Sequence, residues 1–465
     1  MAGSAGISRP LRGWKGRLAG SAIALLLVAS LAAPPARADG IPIVRDAETE
    51  ALLADYLRPI IKVAGVPMPK IHIVPSDEFN AFVTDNGNLF VNTGAIIETE
   101  TPNELIGILA HETGHIVNQD TARFAQQLAD TKTAMLIASL VGAGAAVAGA
   151  ATGSPDAGQA GMGIFSATPG VAERSLLTFR RDQESGADRN AVKFMNATHQ
   201  SSAGMLAVMK RLADQALLLS QQINPYLQTH PLPRERVTQI EDLIAGSPYT
   251  NAKDPPDLQR RHDLVRAKLI GFTWSADKVL RRYPMKDQSL PAKYARAILA
   301  YRTGKPGPAQ QQIDDLIKVS PNDAYFYELK GQALIETGSV GPSIAAFRKA
   351  VALAPGSSIL KILLGQALVA QNSPAAADEV ISLLTVALQR EPDMGIGYRS
   401  LARAYAMKGN EPMAQLATAE GLFADGSYDD ARIQAIRAQA KLKKGSPGWL
   451  RADDIASYKP QTSQQ

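Results

Sequence analysis

The chain has 465 residues, 45% hydrophobic and 20% charged, with 37 Gly, 29 Pro and no Cys. This is the composition of a folded protein with room for two or three domains, and it excludes a disulfide scaffold, a thiolate nucleophile and a Cys-ligated metal. The formal charge of +5 comes from residues 1–38, where Arg9, Arg12, Lys15, Arg17 and Arg37 meet no acidic residue; the remainder carries 44 basic against 44 acidic side chains and has no electrostatic reason to bind nucleic acid.

In residues 1–38 a basic start is followed by the apolar run Leu18 to Ala33 and an A-x-A site, Ala36-Arg37-Ala38. The pattern predicts a secretory signal peptide and a mature chain from about Asp39, outside the cytoplasm; a retained membrane anchor is the alternative. From Asp46 to Ala64, Leu52, Leu53, Tyr56, Leu57, Ile60, Ile61 and Val63 recur at helical spacing. Three stretches rich in β-branched and aromatic residues follow, at 71–74, 80–84 and 88–93, the last two joined by Asp85-Asn86-Gly87-Asn88 as a hairpin turn. They predict a small antiparallel sheet. A helix is expected over 102–128, with Thr101 as N-cap, Pro102 at its first position and Glu104 at its third.

Residues 134–151 contain Ser139 as their one polar residue, and their 18-residue length reaches the lower bound for a membrane span. Their many Gly and Ala suit close helix packing better, so the expectation is a buried or lid-like helical hairpin, with contact to a membrane surface as the second reading and a span as the third. Residues 152–172, rich in Gly, Ser and Thr, read as a mobile loop, so 134–172 as a whole is expected to be a lid or loop. Helices resume near Ala172 and Ser202.

Beyond residue 250 the chain repeats. Pro321 and Pro355, Ala297 and Gly331, and Gly331 and Gly365 are each 34 apart, the period of tetratricopeptide repeats. Tyr327, Gly331, Leu334, Phe347, Ala350 and Pro355 fall at the repeat's spacings within one copy. The organisation predicted is a signal peptide over 1–38, a catalytic domain over 39–250, connecting helices over 251–284, an α-solenoid of repeats over 285–425, a capping helix over 426–446 and a disordered tail over 447–465. A generic helical bundle is the alternative for the repeats.

The helix at 102–128 contains His111-Glu112-Thr113-Gly114-His115. Histidines four apart share a helical face, so both imidazoles can reach one Zn²⁺, and Glu112 beside them is placed as the general base of a hydrolysis. Leu105, Ile106, Ile108, Leu109, Ile116 and Val117 surround them, which argues against two solvated surface histidines. A catalytic zinc takes three protein ligands and keeps one open position. Glu184 and Asp188 stand four apart in Glu184-Ser185-Gly186-Ala187-Asp188; Glu184 is the candidate third ligand, and Asp188 the residue that orients a ligand histidine.

These motifs resemble those of the HtpX-related gluzincin zinc metallopeptidases. With the repeats, the chain is most similar to their periplasmic branch, the β-barrel assembly-enhancing proteases. The resemblance implies an α+β, mostly helical architecture, with a zincin-like metallopeptidase domain joined to the repeat solenoid and one zinc per chain. It implies that the strand Leu89, Phe90, Val91 and Asn92 is the sheet edge against which extended substrate pairs. It also picks out Thr229-His230-Pro231-Leu232-Pro233, with His230 as a regulatory fourth ligand that latches the site; a histidine that only packs at a Pro-bounded turn is the alternative. His72, His199 and His262 lack ligand spacing and read as structural or surface residues. The function implied is a periplasmic zinc endopeptidase acting on unfolded or misassembled outer-membrane proteins, docking substrate or the assembly machinery through its repeats; peripheral membrane contact through 134–151 stays the second reading of that segment's own composition. The competing reading is a repeat-based chaperone or scaffold whose zinc site is mostly latched.

Overall fold

The computed structural model describes residues 42–84, 86–152, 155–218, 225–231 and 234–459, and their side chains outside 142–170, 216–218, 225 and 229. The leader assigned to 1–38 lies outside the described residues. Helix α1 (Ala47–Ala64) is capped by Asp46, whose carboxylate accepts from Thr49 N, and it buries Leu52, Leu53, Tyr56, Leu57, Ile60 and Ile61. Three strands follow, β1 (Lys70–Val74), β2 (Ala81–Val83) and β3 (Asn88–Asn92). Their order in the sheet is β1-β3-β2.

This corrects the sheet expected from sequence in two ways. The sheet is mixed, because β1 runs parallel to β3 while β2 and β3 form the antiparallel hairpin. The strand carrying Leu89, Phe90, Val91 and Asn92 is central and paired on both sides, so it is not an edge. The reason is a crossing: the chain leaves β1, passes the slot beside it and returns through β2, so the last strand fills the middle. Val44 bridges the outer side of β1 at Ile73. The unpaired edge among the described strands is therefore β2.

Helix α2 (Thr93–Glu98) leads into α3 (Pro102–Asn118), where Thr101 caps and Pro102 opens the helix as expected. The helix expected to reach Leu128 instead breaks at Gln119, which adopts a left-handed φ of 54° and closes the end with its N–H on the carbonyls of His115 and Ile116. Two long helices follow, α4 (Asp120–Thr152) and α5 (Pro155–Ala197), packed along each other. The loop expected over 152–172 is thus largely helical from Pro155: pairing of two long helices outweighs weak local propensity. No helix among the described residues is long and apolar enough to cross a membrane. Helices α6 (Ala203–Leu218), α7 (Pro225–Thr229) and α8 (Arg234–Ala245) complete the catalytic domain.

The remaining helices are α9 (Pro256–Thr273), α10 (Ala276–Arg282), α11 (Leu290–Arg302), α12 (Pro306–Val319), α13 (Ala324–Glu336), α14 (Val340–Leu353), α15 (Ser358–Ala370), α16 (Ala377–Arg390), α17 (Gly395–Met407), α18 (Glu411–Ala424), α19 (Tyr428–Lys441) and α20 (Pro447–Ser457). From α11 onward each helix packs on the next. The 34-residue spacing of glycines is a packing rule: a Cβ on Gly331 would meet the Phe347 ring at 2.8 Å and one on Gly365 would meet Leu384 at 2.7 Å. The tail expected from 447 is ordered as α20, because Ser446 caps it, Pro447 opens it and Ala452 buries itself against Leu416 and Ala419 of α18.

No core boundary falls at residue 250. One apolar cluster joins Leu53, Ile73, Val91, Leu109 and Met209 to Ile270, Ala292 and Leu299 of the helices beyond it. Ala47 packs in turn with the array's own core. Where the two halves meet, Lys268 is buried with its Nζ 2.5 Å from Asp46, 3.4 Å from Glu48 and 3.2 Å from Glu328, and the Tyr294 hydroxyl donates to Glu48 at 2.9 Å. Arg45 pairs with Glu391 at 2.5 Å, and Lys70 with Asp393, so the start of the catalytic domain also touches the turn before α17.

Candidate active site

Helix α3 presents His111 and His115 one turn apart, and α5 crosses it with Glu184 and Asp188 at the same spacing. The crossing is close because of Gly114: a Cβ there would lie 2.9 Å from Ala187 Cα and from Ala187 O. His111, His115, Glu184 and His230, all buried, each offer a ligand atom within 4.8 Å of the others. The two histidine Nε2 atoms are 3.1 Å apart. Glu184 Oε2 is 3.4 Å from His111 Nε2, and Glu184 Oε1 is 3.6 Å from His115 Nε2. Ligands about 2.0–2.2 Å from a tetrahedral ion stand roughly 3.3–3.6 Å apart, so the three groups have the spacing of one ligand face.

The other ring nitrogens are held by carboxylates. His111 Nδ1 lies 2.9 Å from Asp188 Oδ1, and His115 Nδ1 bonds Asp120 Oδ2 at 2.8 Å, which leaves both Nε2 atoms facing inward. Burial alone would lower the pKa of His111, but the bonds to Asp188 and Glu184 and the Asp188 charge raise it to about 9. Two carboxylates facing one buried imidazole give the site the negative charge that suits a cation. Burial would raise Glu184, yet His230, His111 and Arg236 keep it well below the ordinary carboxylate range.

Glu112 is 1% exposed, and neither carboxylate oxygen has a hydrogen-bond partner among the described residues. His230 Nε2 lies 3.6 Å from Glu112 Oε1. A buried carboxylate with no hydrogen-bond partner among the described residues is costly, and a metal centre with its water is the setting that accounts for it. The residues present therefore fit a metal.

His230 follows the short α7 and reaches the same point. Its Nδ1 lies 3.0 and 3.2 Å from the Glu184 oxygens, its ring stacks on Tyr226 at 4.6 Å between centroids, and Phe79 packs edge-on against that tyrosine. Two neighbours escaped the sequence reading. Asp120 was hidden because the helix was expected to run through Gln119; the break there turns the carboxylate back onto His115. Arg236, 3% exposed, donates to both Asp188 oxygens at 2.5 and 3.0 Å, lies 2.8 Å from Glu184 Oε2 and donates to the Pro231 carbonyl at 3.1 Å. The sequence hint for it was two carboxylates one turn apart that needed a buried cation. Beside it, Asp188 is pushed down to about 2: burial opposes this, but the guanidinium outweighs it. Of the remaining histidines, His72 lies in β1, His199 follows α5 and stacks on Tyr249, and His262 is buried in α9 between Tyr56 and the Thr99 carbonyl.

Residues 47–244 match the family profile described as peptidase family M48. This is an M48 metallopeptidase domain. Residues 294–358 match a tetratricopeptide repeat profile, so the M48 domain is followed by tetratricopeptide helices, as the sequence resemblance implied. The whole arrangement is similar to the β-barrel assembly-enhancing protease of Yersinia pestis, 26% identical over 395 residues that cover 82% of this chain and 77% of that one. It is similar also to the protein of the same name from Escherichia coli strain K12, 24% identical over 390 residues covering 82% and 76%. The buried donor group lies inside the M48 domain.

Proposed function

We propose that the chain is a periplasmic zinc endopeptidase that cleaves unfolded or misassembled outer-membrane proteins, with its repeats docking substrate or the assembly machinery. The observation that carries the reading is the convergence of His111, His115 and Glu184 beside a buried Glu112 that has no hydrogen-bond partner among the described residues. Two imidazoles and a carboxylate are a donor set of catalytic zinc, which when bound polarises a peptide carbonyl and acidifies water. Asp188 and Asp120 hold the two ligand rings in their inward orientation. Glu112 takes the proton from the attacking water and returns it to the departing amine.

Substrate lies extended along β2. Asn92 N–H donates to Asn80 O and Thr84 N–H to Asn88 O, so Asn80, Phe82 and Thr84 are the residues that exchange bonds with β3. The alternation turns the backbone groups of Ala81 and Val83 outward, free to pair with an added strand. The names of the relatives support an outer-membrane setting. Exposed Leu136, Ile137, Leu140 and Val141 on α4 support contact of this helix pair with a lipid surface.

His230 acts as a latch, because it is the fourth donor at a site that needs a vacancy to turn over. The same observation favours the second reading, a scaffold whose metal site stays closed. Metal analysis and digestion of an unfolded protein separate them. About one zinc per chain, cleavage lost in Glu112→Gln and raised in His230→Ala is the expected result. Zinc without cleavage in any form, and outer-membrane assembly unaffected by Glu112→Gln, selects the scaffold; absence of bound metal removes both.

A further inference from the structure

A depression of about 200 Å³ opens at the carboxyl end of β2, lined by Val83, Thr84, Gly87, His115, Ile116 and Gln119, with the first turn of α4 at its rim. It is bounded at once by the free strand edge and by a metal-site histidine, so a strand laid on that edge drops a side chain into it. Rested on the peptidase reading above, we propose that this depression is a specificity subsite for an uncharged, mid-sized side chain on the amino-terminal side of the cleaved bond.

Direction comes from the sheet. A substrate strand that adds antiparallel to β2 runs against it, so the carboxyl end of β2 faces the earlier residues of the substrate. Size comes from the volume: a protein cavity of about 150 Å³ accepts benzene, so this one takes a branched aliphatic or a small ring. Charge preference comes from the lining. Among the described residues around the depression none is a free ion: Val83 and Ile116 are aliphatic, Thr84, Gln119 and Thr121 are neutral, and His115 is bonded to Asp120. A lysine or aspartate entering would lose water and meet no free counter-charge among these lining residues.

Ala122, exposed on the rim in the first turn of α4, is where charge can be added without touching the ligands or Glu112. The test uses the full mature chain with His230→Ala, alone and combined with Ala122→Glu or Ala122→Lys. An unfolded protein is digested and its cleavage positions are read by mass spectrometry. In parallel, affinities of extended peptides that differ at one position are measured on the Glu112→Gln, His230→Ala form. The parent should favour neutral residues at one position before the bond. Ala122→Glu should shift that position toward Lys and Arg by about tenfold, and Ala122→Lys toward Asp and Glu by a similar factor. An unchanged preference in both charge variants overturns the subsite, and so does a change confined to positions after the bond. If nothing is cleaved but peptide affinities swap with the charge, the subsite stands and the peptidase reading falls; neither cleavage nor binding overturns both.

Discussion

Asp120 shows how one side chain governs another's chemistry. It accepts from His115 Nδ1 and so commits the opposite nitrogen to the metal site. Asp120→Asn should weaken zinc affinity by roughly 10–100-fold, measured by competition with a chromophoric chelator, while the thermal midpoint of the metal-free protein stays close to that of the parent. His262 carries a different prediction. Burial dominates there and depresses its pKa from 6.5 to about 4, although the bond to the Thr99 carbonyl opposes this. The unfolded chain takes up a proton near pH 6.5 that the folded chain refuses until about pH 4. Stability is therefore full above pH 6.5 and falls as the pH drops through that window, by up to about 3 kcal/mol. Urea midpoints of His262→Gln should lack this component of the slope; identical slopes would remove it. At this scale the sequence was most legible where chemistry repeats at helical spacing. His111, Glu112, His115, Glu184 and Asp188 declared themselves, whereas Asp120 and Arg236 act across a helix break and between elements, and no local pattern marks them.

Among elements, the decisive contact is the crossing of α3 and α5, where Gly114 lets the backbones touch at Ala187. Gly114→Ala should push the helices apart, cost about 1–3 kcal/mol and draw Glu184 away from both histidines. Lowered chemical stability together with lowered zinc stoichiometry is the expected pair of readings, and lost stability at full stoichiometry would place the strain elsewhere. Helices with caps and periodic apolar faces, such as α1 and the repeat pairs, were readable in advance. The sheet was not: its hairpin was visible in Asn86-Gly87, but strand order depends on where the chain crosses, and hydrophobic alternation is indifferent to which strand is central. The stretch over 152–172 was misread for a related reason, since its glycines signal a loop locally while the pairing of two long helices holds it helical from Pro155.

At the scale of the whole molecule, the catalytic domain and the array share a core, and Lys268 sits where they meet with Asp46, Glu48 and Glu328 around it. Lys268→Met would leave the buried Glu48 and Glu328 and the half-buried Asp46 without their cation, a loss of about 3–5 kcal/mol by the usual cost of breaking a buried pair. Denaturant midpoints check the stability. Limited proteolysis between 245 and 256 checks the second expectation, that the junction opens first.

That shared core also sets an order of events. A chain made from its amino end exposes Asp46 and Glu48 more than two hundred residues before Lys268 and Glu328 exist to receive them. Contacts so distant in sequence close late. The helices of the candidate metal site are complete by residue 245, yet the apolar surface behind them is not covered until α9 and α11 arrive. The protein thus cannot finish its peptidase half before it has made the helices that cover it, and a nascent chain passes through its own synthesis without a mature blade.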